Sequence, residues 1–288
     1  SFACAVPGIM ATRSIADPRD RLTTIMVAPL MTCSARLPVY ALLIAAFIPN
    51  QTVWGMFNLQ GLVLFGLYMA GIVSALGVSF VLKFLQKDKS EHVLLMELPS
   101  YRFPDLKSVW IGLLDRAKIF LKRVGGIIFA LSILLWFLCT FPQPPEGATL
   151  PAIDYSFAGM LGHVLQPIFA PVGFNWQIVI ALIPAMAARE VVVAALGTVY
   201  ALSAVDEDAM SQGLAALISG GGELGWSLAT GLSLLVWFIY APHCLATLAT
   251  VKRETGSWRT VSFMTVYLFG LAYLMSFLTY QTASYLLG

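Results

Sequence analysis

Three ionisable residues, Arg36, Arg189 and Glu190, stand against or between long apolar stretches that carry no other charge. An ionisable group at the centre of a bilayer costs about 2.5 to 3.5 kcal/mol on insertion scales, so each calls for a partner, a water-filled cavity or a function. Their surroundings repeat a theme of proline beside thiol or hydroxyl. Thr32-Cys33-Ser34-Ala35-Arg36-Leu37-Pro38 is one such segment, Pro184 precedes Arg189-Glu190, and Tyr240-Ala241-Pro242-His243-Cys244 is another; Cys4-Ala5-Val6-Pro7 opens the chain. Proline removes a backbone donor and frees a carbonyl one turn earlier, which hydrocarbon tolerates only where protein, water or a ligand satisfies it. Broken helices around a midplane site are the expected arrangement, as in many secondary transporters.

The elements that must hold these groups follow from composition. Of 288 residues 59% are apolar and 11% charged, against about 25% charged in a soluble domain. Charge-free runs cover 37–82, 124–145, 155–188, 224–251 and 260–288, and about 20 apolar residues already span a bilayer. A soluble fold, disorder and nucleic-acid binding are excluded. The formal net charge of +2 implies no polyanionic partner, and four scattered cysteines without a CxxC pair imply neither a disulfide framework nor a zinc ribbon. The chain starts at Ser1 with no initiator Met or signal-peptide order, which reads as a piece of something longer.

The expected spans are 22–49, 57–82, 124–141, 155–173, 174–202, 225–249 and 260–286, with 155–173 open to a re-entrant reading because of its glycines and prolines. Residues 103–123 predict an interfacial helix with Leu106, Val109, Trp110, Leu113, Leu114, Ala117 and Leu121 on one face. Asp206 to Asp208 begin a second short amphipathic helix through Ile218. With these spans, 15 of the 17 basic residues fall on one side and only Arg36 and Arg189 lie inside spans; the positive-inside rule makes that side cytoplasmic and the C-terminus periplasmic. The sequence thus predicts an all-α, polytopic helical membrane protein of about seven spans, with proline-interrupted helices and short amphipathic interfacial helices. The pairs Ala70/Ser74 and Gly71/Ala75 offer small faces for close packing. Val6-Pro7-Gly8-Ile9-Met10-Ala11-Thr12-Arg13 echoes Ile183-Pro184-Ala185-Met186-Ala187-Ala188-Arg189, a hint of two related halves.

The segments Cys4-Ala-Val-Pro7-Gly-Ile-Met-Ala-Thr-Arg13, Pro18-Arg-Asp-Arg21-Leu and Pro29-Leu-Met-Thr-Cys33-Ser-Ala-Arg36-Leu-Pro38-Val-Tyr40 resemble the membrane domain of the bacterial ferrous-iron transport protein B (FeoB) family. Ile183-Pro184-Ala-Met-Ala-Ala-Arg189-Glu190 and Tyr240-Ala-Pro242-His-Cys244 extend the resemblance through the second of that family's two Gate motifs. It implies transport of Fe(II) across the bacterial cytoplasmic (inner) membrane, with Cys4, Cys33 and Cys244 matching the Gate cysteines proposed to line the ion path. It divides the chain into 1–102 (end of the first Gate and central membrane region), 103–123 (cytoplasmic interfacial helix) and 124–288 (second Gate region and C-terminal span). It further implies a missing N-terminal GTPase domain, which would bring GTP and Mg, and as partners the lipid bilayer, that domain and small accessory proteins of the same uptake system, with a homo-oligomer allowed.

Given the resemblance, the metal set is Cys4, Cys33, Cys244, Glu190 and His243, and Arg36, Arg189 and Glu190 form a gating or structural group. Thiolate and imidazole raise affinity for Fe(II) but cannot alone exclude zinc. Arg36, three residues beyond Cys33, is the expected cation beside that thiol. Glu190 is either a ligand or the partner of Arg36. Cys139 has no polar company, and Met10, Met31 and Met186 read as packing residues or a thioether lining. Thr32, Ser34, Tyr40 and Tyr240 are candidate partners for freed carbonyls. Gly220 to Gly225 fits GxGxxG but precedes an apolar span and follows no strand, and no Walker A, HExxH or GxSxG pattern occurs, so the chain by itself is not expected to be an enzyme. The rival readings are a nucleoside-type or other small-solute transporter, whose Gate motif is similar, and a membrane-embedded sensor or anchor.

Overall fold

The computed structural model describes residues 2–49, 51–53, 57–85, 103, 105–143, 152–186, 189, 191–203 and 226–287. Its helices are α1 (Ala5–Ala11), α2 (Pro18–Val27), α3 (Leu37–Phe47), α4 (Leu59–Leu85), α5 (Leu106–Thr140), α6 (Phe157–Phe169), α7 (Trp176–Ala185), α8 (Val191–Ser203), α9 (Leu228–Tyr240), α10 (Leu245–Thr255) and α11 (Trp258–Leu287). A minimal antiparallel ladder, β1 (Thr52–Val53) with β2 (Phe57–Asn58), joins α3 to α4. Side-chain caps start many helices: Asp17 for α2, Asp105 for α5, Ser156 for α6, Asn175 for α7 and Ser227 for α9, each accepting from a backbone N–H of the first turn.

Among the described residues, Pro18–Phe47, Leu59–Phe84 and Trp258–Leu286 are long and apolar enough to cross a membrane. Their outer faces are apolar too: Phe80 is 73% exposed, Val266 70% and Phe129 on α5 69%. Water would not leave so much apolar surface uncovered, whereas acyl chains would cover it. The chain is a helical membrane protein.

Cross-chain contacts set the order of levels through the bundle. Gln60 Nε2 donates to Ile48 O at 2.9 Å, Gly71 lies against Thr32, and Lys83 meets Asp20 at 3.1 Å, so α4 runs antiparallel to both α2 and α3. The span predicted at 22–49 is therefore one crossing with a break inside it. Pro29 and Pro38 bracket that break, where two 3₁₀ turns flank extended residues around Cys33. Gly71 is required by this approach, since a Cβ there would stand 2.7 Å from Thr32 Oγ1. The pair α9 and α10 behaves alike. Ser233 and Ser276 exchange hydroxyl-to-carbonyl hydrogen bonds (3.2 and 3.0 Å), which sets α11 antiparallel to α9, while α10 ends at Gly256 (φ +68°) just before α11 begins. Its helix runs to Thr255, beyond the predicted limit of 249.

Three expectations are corrected. Residues 174–202 are not one span: Asn175 Nδ2 donates to Tyr200 Oη at 3.0 Å and Trp176 packs with Val199, so α7 and α8 lie antiparallel as a helical hairpin. Pro184, inside the last turn of α7, removes a backbone donor and weakens continuation of the helix, and α7, of 10 residues, is about 15 Å long, half the hydrocarbon thickness. Residues 155–173 are not a straight span either. α6 and the following 3₁₀ turn meet α7 at 99°, and both ends of α6 stay at the same end of the bundle: Ala158 sits in a cluster with Cys139 and Val199, and Tyr273 and Gln281 bond the carbonyls of Ile168 and Pro171. Gly173 makes the reversal at φ +83°, with the Tyr280 ring where a Cβ would be. Finally, the interfacial helix expected over 103–123 and the span over 124–141 are one uninterrupted helix of 35 residues, α5. The expected helix at 206–218 lies outside the described residues.

Candidate functional site

The breaks in the two crossings and the tip of the hairpin meet at one level. Cys4, Cys33 and Cys244 each occupy the residue immediately before a helical turn, in extended backbone, and none of the three caps that turn with its side chain. Cys33 and Cys244 are half-buried. Cys4 is exposed, but its neighbours are docked on the first break, since Phe2 O and Ala3 O accept from the Ser34 N–H (2.9 Å) and Ser34 Oγ (2.8 Å).

Arg189 links these parts. It is 5% exposed. Its Nε donates to His243 O and its Nη2 to Ala241 O, both at 3.1 Å, while Nη1 reaches Cys33 Sγ at 3.5 Å. One guanidinium thus ties the hairpin tip to the break before α10 and to the break before α3. A small cavity opens beside it, lined by Pro29, Pro242, Cys244, Thr247, Leu248 and Met264 as well as Arg189, with room for about one water-sized guest. The carbonyls it reaches belong to the non-helical segment at Pro242, where backbone acceptors lose their helical donors.

Arg36 is fully buried, and its hydrogen bonds go to the backbone rather than to Cys33. Its Nη2 donates to Pro29 O at 3.0 Å and its Nη1 to Leu30 O at 3.4 Å, closing the carbonyls of its own break. Glu190, the other candidate ligand or partner, lies outside the described residues. Tyr240 Oη meets Ser74 Oγ at 2.8 Å, so the small face of α4 receives the second break as well.

His243 is buried, and its Nε2 accepts from Trp237 Nε1 at 2.8 Å, which puts the ring proton on Nδ1. Among the described residues no three of His, Cys, Asp and Glu come together as a metal site. Cys139 is buried in an apolar cluster with Ala158, Trp176, Ile180 and Val199. The sequence reading missed the role of Arg189 as a clamp across both breaks, and the carbonyls of Ala241 and His243. Pro242, which interrupts the span predicted at 225–249, was the available signal.

A second polar cluster closes the basic end. Glu254, its side chain 2% exposed, accepts from Arg13 (2.8 and 2.6 Å) and from Arg21 (3.0 Å), joining α10 to the start of the chain.

The family model described as Ferrous iron transport protein B C terminus matches residues 64–116, and the Gate model, described as Nucleoside recognition, matches 121–258. The chain is 40% identical over 98% of its length to the Fe(2+) transporter FeoB of Leptospira interrogans serovar copenhageni, covering 42% of that protein. It is 36% identical over 97% of its length to the Fe(2+) transport protein A/Fe(2+) transporter FeoB fusion protein of Porphyromonas gingivalis, covering 36% of it, and 33% identical over its whole length to the FeoB of Campylobacter jejuni, covering 46%. The chain therefore spans less than half the length of these curated relatives. No solved structure matches it.

Proposed function

We propose that this chain, which belongs to the FeoB family and matches its C-terminal membrane region, forms the path by which ferrous iron crosses the bacterial cytoplasmic membrane into the cell. The observation that carries this reading is the meeting of Cys33, Cys244 and a small cavity at Arg189, at the level where two membrane helices are broken. A bare dication in hydrocarbon costs tens of kcal/mol, so it needs donors that replace its water stepwise. Thiols and carbonyls at helix breaks are such donors, and each binds weakly enough alone to release. Cys4, on the segment docked at Ser34, extends the path toward the basic end, Glu190 remains a proposed contributor, and His243, whose ring Nε2 is taken by Trp237, contributes through its backbone carbonyl.

In this reading the basic residues of α2, α10 and the stretch after α4 face the cytoplasm, and the C-terminus faces the periplasm. A GTP-hydrolysing domain, with its Mg, belongs to the rest of the full-length protein and gates or drives the path from that side. An accessory protein of the same system is a proposed partner, a reading supported by the fusion of Fe(2+) transport protein A with FeoB in one relative.

The test is Fe(II) uptake by cells carrying Cys33→Ser or Cys244→Ser in the full-length protein. Each change is expected to cut uptake at unchanged abundance in the membrane. Normal uptake in both would remove the thiols from the path.

A further inference from the structure

We propose that α1 is the gate at the basic, cytoplasmic end of the path, and that the Arg13–Glu254 pair is the latch that keeps it shut. The proposal rests on the transport reading above and deepens it by assigning residues to the exit.

α1 lies between the cavity and that end. It packs against the 3₁₀ turn at Ala28–Leu30, in the break of the first crossing, and against α10. Both are walls of the cavity, the first through Pro29 and the second through Cys244, Thr247 and Leu248. The start of α1 is level with the breaks, since Phe2 O and Ala3 O accept from Ser34. Its end continues through a 3₁₀ turn (Thr12–Ser14) that carries Arg13 to Glu254, the last residue but one of α10. α1 therefore covers α10 from the level of Cys244 to the basic end, about 16 Å for the 11 residues of that helix. The contact between them is closed to water: Ile9 on α1 and Val251 on α10 are fully buried, and Thr12 and Thr247 are buried beside them. An ion that leaves the cavity along α10 meets this contact.

The helix is held by its ends rather than by its length. It has 7 residues, about two turns, where an isolated helix needs roughly 12 to 15 to persist. One end is fixed by the backbone at Ser34 and the other by the forked Arg13–Glu254 bonds. The latch is also built to release. The Arg13 side chain is 56% exposed and passes into water when it lets go, whereas that of Glu254 is 2% exposed. A buried carboxylate left without a partner would make opening expensive. Arg21 prevents this, since it donates to Oε2 at 3.0 Å from α2, which is part of the crossing and not of the gate. When α1 moves away, Arg21 stays with Glu254 and water reaches Oε1. One partner on the moving element and one on the fixed element let the contact open and close again.

The experiment uses the full-length protein in inside-out and right-side-out membrane vesicles, with a membrane-impermeant maleimide as the probe and mass spectrometry of the Cys244 peptide as the readout. Arg13→Gln is expected to raise the rate of Cys244 modification from the cytoplasmic side at least tenfold and to leave the rate from the periplasmic side unchanged. Arg21→Gln removes a bond to the same carboxylate but none from α1, so it should not raise the cytoplasmic rate. An unchanged cytoplasmic rate in Arg13→Gln, an equal rise in Arg21→Gln, or a rise from both sides, which general loosening would produce, overturns the proposal. Should Arg13→Gln fail to accumulate, Arg13→Lys decides: with the fork reduced to one bond, the cytoplasmic rate must rise at least threefold, and no rise overturns the proposal. If Arg13→Gln opens Cys244 to the cytoplasmic side while Cys33→Ser and Cys244→Ser import iron normally, the gate stands and the transport reading falls; impaired import in those variants with unchanged modification in Arg13→Gln keeps transport and rejects the gate.

Discussion

Arg13 grips Glu254 with two parallel hydrogen bonds, Nε to Oε2 at 2.8 Å and Nη2 to Oε1 at 2.6 Å, across 241 residues of sequence. Arg21 adds a third at 3.0 Å. This forked geometry fastens the first helices of the chain to the end of α10, which begins at Cys244. The Arg13 hydrogen bonds hold the Glu254 carboxyl below its ordinary pKa, with attraction from Arg21 and Arg253 in the same direction and burial opposing them.

A carboxyl with a lowered folded-state pKa contributes stability that is complete above its unfolded value, about 4.3, and is lost as pH falls through the folded one. The detergent-solubilised protein should therefore lose thermal stability as pH drops below about 4.3, and Glu254→Gln should remove that part of the slope. A profile identical in the variant would show that Glu254 contributes nothing to the acid limb.

Arg36→Met should be less stable than the parent, because Pro29 O and Leu30 O lose their donor and a buried unmet acceptor costs about 1 to 3 kcal/mol. Arg36→Lys should recover only part of this, since an ammonium cannot fork to two carbonyls as a guanidinium does. Unfolding in a denaturing detergent series measures both. Equal stability of Met and parent would mean that the carbonyls find other donors.

Gly173→Ala should be destabilised by at least about 1 kcal/mol, since its φ of +83° suits glycine and its Cβ would stand 2.1 Å from the Tyr280 ring. Tyr280→Ala in the same chain should return part of the loss by removing the clash, leaving the backbone part. If the double variant is no better than the single one, the turn's strain alone accounts for the loss.

Ser233 and Ser276 bond each other's carbonyls between α9 and α11, and Ser233 also bonds Val172 O at 2.8 Å. Hydrogen bonds between membrane helices are worth about 0.6 kcal/mol on average and up to about 1.7. Ser233→Ala should therefore cost more than Ser276→Ala, and the double variant should depart from the sum, because the two side chains sit at one contact between α9 and α11. Strict additivity of the two losses would rule out this coupling.

Much of the architecture is legible in the residues themselves. The charge-free runs announce helices in lipid, Asp17, Asp105, Ser156 and Ser227 stand where helices begin, and the prolines at 29, 38 and 242 mark the breaks that the structure contains. Residues 174–202 mislead because a run of apolar residues is equally compatible with a span and with a hairpin packed inside a bundle. Its Trp176, Ile180 and Val192 are buried against protein rather than lipid, and hydropathy does not distinguish the two surroundings. Arg36 misleads for a different reason. Its distance along the chain from Cys33 is short, but its guanidinium donates to Pro29 O and Leu30 O.

What the sequence determined by itself is the solvent, the family and the residues worth suspecting, because the cost of charge and of unpaired backbone in hydrocarbon leaves its mark on composition and on the placing of proline. Only the tertiary structure decided which cation faces which thiol. Arg189 meets Cys33 and the carbonyls of Ala241 and His243 because a helical hairpin turns back halfway and brings its tip to two breaks that lie far away along the chain. That meeting depends on packing between distant segments, and no local pattern encodes it.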